Sequence, residues 1–468
     1  MSFVFYDTET TGTHKAFDQI LQFAAIKTDH ELKEIDRFQI RCRLLPHVVP
    51  SPGAMLVTGV TVDQLVDPEL PSHYEMVCSI RAKMEAWSPA VFIGHNSIQF
   101  DEPLVRQALY QNLHPPYLTN TNGNCRADSL RIAQAIHLYS PGTLTIPKDG
   151  NGRETFKLDQ LAPANGFQDH AAHDAMGDVE ATVHLCRLLA AKEGDHWSNL
   201  IRFSQKAAVQ DFIQEEYIYL LSDSFFGKTY SWPVVTLGAN PDYGAESLVF
   251  NLTVDPDDLV GLSDGALSAR LAVTPKPVRG LRTNAIPIVL AMDDVPEHIR
   301  QTLPDLGELQ RRANVVCDDM SFKTKLIETF LARKEPRESS VYVEEQIYDS
   351  FTSNSDNDKL SLFHAADWCD CANILNGLED QRLATLGERL IHAEAPESMS
   401  NERRQQNDIA VAKRLLAEES EVPWLTLPKA IADTEDMLSV ANGEEESLLG
   451  DLRDYLKKRV EKASQIIS

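Results

Sequence analysis

Five side chains in this sequence have the types to do chemistry together: Asp7, Glu9, Asp101, His173 and Asp178. The first two stand one residue apart in "FVFYDTETTG" (3–12), directly after a strongly apolar run. On a strand, residues i and i+2 share a face, so both carboxylates point into one crevice. Two such hard oxygen donors repel each other unless a cation sits between them, which makes a seat for Mg²⁺ or Mn²⁺. Asp101 lies in "GHNSIQFDEP" (94–103), where an apolar strand gives way to polar residues and a helix begins. His173 and Asp178 lie in "HAAHDAMGDVEAT" (170–182). A helix starting near Asp174 puts His173 at its entry and Asp178 one turn in. Taken singly, each residue has a structural use: Asp7 as a turn cap, Glu9 solvated, Asp101 as an N-cap, His173 and Asp174 as capping residues, Asp178 as a surface acid. Together, four acids are too many for neutral chemistry without divalent metal. Two cations about 4 Å apart would neutralise them and clamp the attacking and leaving oxygens of a phosphodiester. His173, with a side chain that titrates near neutrality, is then the general base toward water.

The elements that must position these groups are legible in outline. "FVFYDTE", "ILQFAAIKTD" and "LKEIDRFQIRCRLL" read as three strands in a meander, although "DQILQFAAI" also admits a helix. "AVFIGHNS" (90–97) is a further short strand, and helices are expected over 101–113, 128–139, 157–166 and 173–194. Strands followed by alternating helices and strands give a mixed α/β layer. Near residue 200 the texture changes: 228–292 is rich in β-branched residues, Pro and Gly, which predicts a small β-rich domain. From about 345 onward the chain is helical and acidic, a helical bundle.

Bulk properties exclude several classes. The 468 residues carry 43% hydrophobic and 24% charged side chains, the balance of a soluble globular protein with two or three domains. No window has the roughly 20 unbroken apolar residues of a membrane span. The N-terminus lacks a basic region followed by an apolar one, and the seven cysteines are scattered, so a cytoplasmic chain with reduced thiols is expected. Cys369 and Cys371 form a C-x-C with no second Cys/His pair at zinc spacing nearby. The net charge of −26 divides as about −7, −8 and −11 over 1–190, 191–345 and 346–468. No basic arm hides in that average, so any nucleic-acid contact needs local basic clusters or a metal-rich site. "RLAVTPKPVRGLR" (270–282) and "KTKLIETFLARKEPR" (323–337) are the two stretches that offer them, either as solvated faces or as stripes that track a nucleic-acid backbone.

"DTETTG", "HNSIQFD" and "HAAHDAMGD", in that order, resemble the three motifs of the DEDDh exonuclease family. "PGAMLVTGVT" (52–61), "KLDQLAPANG" (157–166), "AHDAMGDV" and "EEQIYDSFTSNSDN" (344–357) look like those of its bacterial exodeoxyribonuclease I branch. The resemblance implies an α/β fold: a ribonuclease H-like exonuclease domain with a mixed sheet over 1–190, an SH3-like β-rich domain over 191–345 and an all-α helical domain over 346–468. It implies Mg²⁺-dependent (two ions, Mn²⁺ as substitute), processive 3′→5′ hydrolysis of single-stranded DNA to nucleoside 5′-monophosphates, in DNA repair and recombination, by a cytoplasmic monomer. Asp7, Glu9, Asp101 and Asp178 would be the metal-binding acids and His173 the base. Glu9, Lys157, Arg106 and Tyr117 would touch substrate, Arg106 at phosphate and Tyr117 by stacking. Lys157 stands where the family can have an arginine, and Gln134 where a basic residue is expected. The acidic C-terminal tail of single-stranded-DNA-binding protein would be a partner. An RNA-trimming or proofreading exonuclease is the rival within the family, and a non-catalytic DNA-binding scaffold the rival outside it.

Overall fold

The computed structural model describes residues 2–168, 174–225, 227–335 and 338–468. Its first unit is a five-stranded mixed sheet in the order β3-β2-β1-β4-β5. The strands are β1 (Ser2–Thr10), β2 (Ile20–Thr28), β3 (Glu34–Arg41), β4 (Ala90–Gly94) and β5 (Cys125–Asp128). The first three form the expected antiparallel meander, while β4 runs parallel to β1 and β5 parallel to β4. Alternation along β1 explains its unbroken apolar start. Phe3 and Phe5 enter a core with Val91, Ile93 and Val179, on the face covered by the helix Ala175–Lys192. Val4 and Tyr6 enter a core on the opposite face with Met76, Ile80, Leu104 and Val105. Those four residues lie on the helices His73–Trp87 and Asp101–Gln111. A strand covered on both faces has no polar side to show.

The β-rich unit of the middle region is a five-stranded antiparallel sheet in the order β10-β6-β7-β8-β9. Its strands are β6 (Tyr219–Phe225), β7 (Lys228–Ala239), β8 (Glu246–Asn251), β9 (Val278–Arg282) and β10 (Ile288–Ala291). The region is more helical than its composition suggests, because the helices Asp264–Ala272, Leu306–Asp318 and Met320–Ala332 pack on this sheet through Leu267, Leu309, Val316 and Leu326. The last region is helical, ending in the helix Glu444–Ile467. Among the described residues no helix is long and apolar enough to cross a membrane.

The three regions share cores. Leu220, Ile288 and Leu290 of the second sheet belong to the apolar cluster of the first. Tyr110 and Leu113 pack with Ile347, Leu360 and Phe363. Leu21 and Met55 pack with Leu452 and Leu456 near the C-terminus. Arg459 Nη1 also donates to the Val48 carbonyl at 2.8 Å, tying the C-terminal helix to the first region.

One buried charge fixes the helix that carries Asp101. Glu102, whose side chain is 2% exposed, accepts from Arg106 Nε at 2.7 Å and Arg126 Nη1 at 3.1 Å. The Thr119 hydroxyl donates to it at 2.6 Å and the Tyr6 hydroxyl at 3.2 Å. Burial opposes its charge, but the two guanidinium groups hold its carboxyl below the usual value. A lowered folded-state pKa stabilises above the unfolded value, and that contribution is lost as pH falls through the folded one. Glu102→Ala leaves two cations without their partner and should cost about 3–5 kcal/mol in urea unfolding at neutral pH. A cost below about 1 kcal/mol would show that the cluster does not hold the helix.

Candidate active site

β1 delivers Asp7 half-buried and Glu9 buried to one cleft of about 430 Å³, which Asp101 and Asp178 also line. Three elements meet there. The first is the end of β1. The second is the helix Asp101–Gln111, reached from β4 through Gly94-His95-Asn96. A side chain at Gly94 would meet the Tyr6 carbonyl at 2.9 Å and Ser97 Cβ at 2.5 Å, so only glycine lets the two strands and the turn close up. Asp128 accepts from the amides of Asn96 at 2.9 Å and Ile98 at 3.1 Å, which fixes that turn from β5. The third element is the helix Ala175–Lys192, which carries Asp178 in its first turn. Its entry is held by Asp174, whose Oδ1 accepts from Gln22 of β2 and Arg41 of β3, both at 2.9 Å.

The four acids are not equivalent. One carboxylate oxygen each of Asp7, Glu9 and Asp178 lies within 4.8 Å of the other two. Asp101 stands beside this trio with its Oδ1 engaged, accepting from the Thr8 hydroxyl at 2.6 Å and the Thr8 amide at 3.1 Å. Its carboxylate is thus held by the residue between Asp7 and Glu9, not spent on capping its helix.

Electrostatics state what the cluster lacks. Burial, then repulsion from Asp101, Asp178 and Glu9, pushes the Asp7 carboxyl well above its ordinary range. Glu9 is pushed up to about 8 by burial and by Asp178 and Asp101, against the opposing pull of Arg41. Burial also raises Asp101 to about 7. Three oxygen donors this close, each pressed by like charge, fit a hard divalent cation.

The remaining expected residues fall in different places. Lys157 lines an adjoining cleft of about 650 Å³ that shares His95, Asn96 and Asp178 with the first, and Gln134 lines it too. Arg106 and Tyr117 do not line either cleft. The Arg106 guanidinium, committed to Glu102, lies 5.1 Å over the Tyr117 ring, and Tyr117 faces Phe351 at 5.8 Å beside a recess of about 130 Å³. His173 lies outside the described residues.

Several contributing residues were not singled out from sequence. His95, wedged between the Ser129 hydroxyl at 2.9 Å and the Phe156 carbonyl at 2.8 Å, walls both clefts. Thr8, Asp128 and Asp174 act through tertiary hydrogen bonds that leave no mark in local spacing.

An acid whose pKa is raised on folding binds more protons folded than unfolded, so stability falls as pH rises through that interval. For Glu9 the interval runs from 4.5 to about 8. In EDTA the thermal midpoint should therefore drop between about pH 6 and pH 8, Glu9→Gln should flatten the drop, and Mg²⁺ should restore the midpoint. A midpoint indifferent to all three would contradict this reading of the cleft.

The chain matches the Exonuclease family over residues 4–186 and the Exonuclease I C-terminal domain over 342–459. It is 27% identical over 381 residues to exodeoxyribonuclease I of Escherichia coli (strain K12), covering 77% of this chain and 78% of that one. The Haemophilus influenzae exodeoxyribonuclease I is 26% identical over 383 residues, covering 78% and 80%. Among solved structures, a moderately thermophilic exonuclease I from Methylocaldum szegediense superposes with a TM-score of 0.86 at 24% identity, over 98% of this chain and 99% of that one. E. coli exonuclease I in complex with a dA16 oligonucleotide superposes with a TM-score of 0.86 at 22% identity, over 98% and 100%. With an exonuclease domain around the acidic cleft, an exonuclease I C-terminal domain after it and likeness over most of its length, the chain is a homologue of exodeoxyribonuclease I.

Proposed function

We propose that the protein removes nucleotides one at a time from the 3′ end of single-stranded DNA, releasing nucleoside 5′-monophosphates, in DNA repair and recombination. The observation that carries this is the trio Asp7, Glu9 and Asp178 with Asp101 alongside, in an open cleft on an exonuclease domain. Asp7, Glu9 and Asp178 hold divalent cations, two Mg²⁺ with Mn²⁺ as substitute, and Asp101 completes the set. Bound there, the cations supply charge neutralisation at the scissile phosphodiester. His173 takes the proton from the attacking water, and Glu9 contacts the terminal nucleotide. Lys157, exposed on the wall of the adjoining cleft, offers a point charge to phosphate.

An acidic protein needs a local route for the strand. The cleft beside Lys157 runs on through Glu154, Phe156 and Gly227 into a third, of about 600 Å³, lined by Arg153, Lys228, Phe225 and Tyr230. Phe225 and Tyr230 are exposed, and Lys228 lies 5.3 Å over the Tyr230 ring, a combination of charge and stacking surface suited to single strands. Parts of the two basic stretches are already engaged at the surface: Arg270 donates to the Val273 and Pro275 carbonyls, and Lys334 pairs with Glu246 at 2.6 Å. Tyr117 and Phe351 give a second stacking surface, with Arg106 behind them contributing to phosphate contact. The E. coli relative was crystallised with a dA16 oligonucleotide, which supports single-stranded DNA as ligand here. We assign residues 1–190 to hydrolysis and 191–345 and 346–468 to retaining the strand between cuts, in a cytoplasmic monomer that also meets the acidic tail of single-stranded-DNA-binding protein.

The test uses 5′-labelled single-stranded DNA, its RNA counterpart and a blunt duplex, each with Mg²⁺ and with EDTA. A ladder shrinking from the 3′ end, confined to single-stranded DNA with metal, is expected. Shortening of the RNA alone would move the protein to the RNA-trimming branch, and no cleavage of any substrate would make it a scaffold. Asp7→Ala should lower turnover by about a thousandfold or more while the folded spectrum and DNA binding persist; near-wild-type turnover would overturn the site. Tyr117→Ala should weaken single-strand binding by about 1–3 kcal/mol in a fluorescence titration. Unchanged affinity would remove Tyr117 from the strand's path.

A further inference from the structure

The acidic cleft has a wall that carries no carboxylate. It is lined by Thr10, Gly12 and Thr13, where β1 runs out, and by Ala54, Val57 and Thr58 of the helix Pro52–Thr58. The Ser51 amide donates to the Thr11 carbonyl at 2.7 Å, which joins the two pieces into one surface. Each piece has one large buried apolar side chain, Phe17 on the loop between β1 and β2 and Met55 on the helix. Neither enters the two cores that flank β1.

Both are seated on the C-terminal region instead. Phe17 meets Tyr342 edge-on at 6.0 Å and Trp424 at 5.5 Å, and those two rings meet each other at 5.2 Å. The Arg414 guanidinium closes the cluster, 4.1 Å over the Trp424 ring and 5.5 Å over Phe17. Its Nη1 donates to Glu344 Oε1 at 2.7 Å, and Arg389 shares that oxygen at 2.8 Å. One buried acid therefore serves two guanidinium groups, and the ring faces supply further stabilisation of the Arg414 charge. Trp424 is fixed in turn, its Nε1 donating to the Arg414 carbonyl at 3.0 Å. Met55 packs with Leu427, Leu452 and Leu456 of the C-terminal helices. Ahead of its helix, Arg459 donates to the Pro46 carbonyl at 2.6 Å and the Val48 carbonyl at 2.8 Å.

We propose that Phe17 and Arg414 are positioning residues for hydrolysis: through them the C-terminal helices set the wall against which the terminal nucleotide rests beside Asp7, Glu9 and Asp178. This rests on the exonuclease reading and goes beyond it, because the C-terminal region then frames the reaction centre as well as retaining the strand. Neither side chain lines the cleft, so both act through the wall. The acids are held separately, Asp101 by Thr8 and the entry of the Asp178 helix by Gln22 and Arg41 on Asp174. Disturbing Phe17 or Arg414 therefore moves the wall and leaves the carboxylates in place. A displacement of about 1 Å at a reacting group is enough to cost up to about a hundredfold in rate.

The p-nitrophenyl ester of thymidine 5′-monophosphate separates framing from retention. It is one nucleoside long, so a region that only retains the strand has no grip on it. Water attacks its phosphorus, p-nitrophenolate leaves with the bonding pair, and the colour reports the rate. With Mn²⁺ present, Arg414→Met and Phe17→Ala should lower kcat/KM for the ester at least about tenfold, while Mn²⁺ affinity and affinity for a long single strand stay within about twofold of wild type. Arg414→Lys, which keeps a charge over the rings, should recover part of the loss. Arg403→Ala, an exposed position on the same helix, should cost nothing. Circular dichroism confirms folding at the assay temperature, and Phe17→Leu takes the place of Phe17→Ala if that variant does not fold. Amide hydrogen exchange reads the wall without any reaction: residues 10–13 should exchange at least about tenfold faster in folded Arg414→Met, with residues 3–6 unchanged. Wild-type ester hydrolysis in the folded variants, or unchanged exchange at 10–13, would overturn the proposal. A wild-type protein inert to ester and strand alike would count against the exonuclease reading, and the exchange measurement would still decide the wall.

Discussion

Mutual repulsion among the carboxylates at the end of β1 is the constraint on which the rest depends. Asp7, Glu9 and Asp178 converge within 4.8 Å, and Asp101 adds its field from the side. Left to itself such a group would spread apart or hold protons, and the raised pKa values record the second response. Holding it together requires elements that cannot yield. β1 is central in its sheet and buried on both faces. Thr8 clamps Asp101 from the same strand, and Asp174 ties the Asp178 helix to β2 and β3. The cluster is therefore rigid before any cation arrives, which is what precise metal chemistry needs.

The other two regions extend this frame. They share apolar cores with the first sheet, so the trough from the acids past Lys157 to Lys228 and Tyr230 is walled by interlocked parts. The global charge of −26 then matters less than the local lining. Glu102 shows the same economy: its two arginines neutralise a buried acid, and the same helix presents Asp101 next to it.

Much of the frame was legible in the sequence for physical reasons. A strand buried on both faces reads as a continuous apolar run, and Asp7 and Glu9 follow at the spacing that shares a face. The helix over 175–192 shows its buried Val179, Val183, Cys186 and Leu189 at helical period. β5 escaped because four residues, "CRAD", owe their extended form to pairing with β4 and carry no pattern of their own. Charge counting could not foresee that Arg270 turns back on carbonyls or that Arg106 is committed to a buried Glu102 one helical turn away.

The most direct test of the central claim is calorimetric titration of Mn²⁺ into the metal-free protein near pH 7, in two buffers of different ionisation enthalpy. Cation binding should displace the protons that repulsion and burial keep on the cluster, where Glu9 sits at about 8 and Asp101 at about 7. The account predicts net proton release on binding, greatly reduced in Asp7→Asn and Glu9→Gln. Binding with no proton release, or release unchanged in both variants, would contradict it.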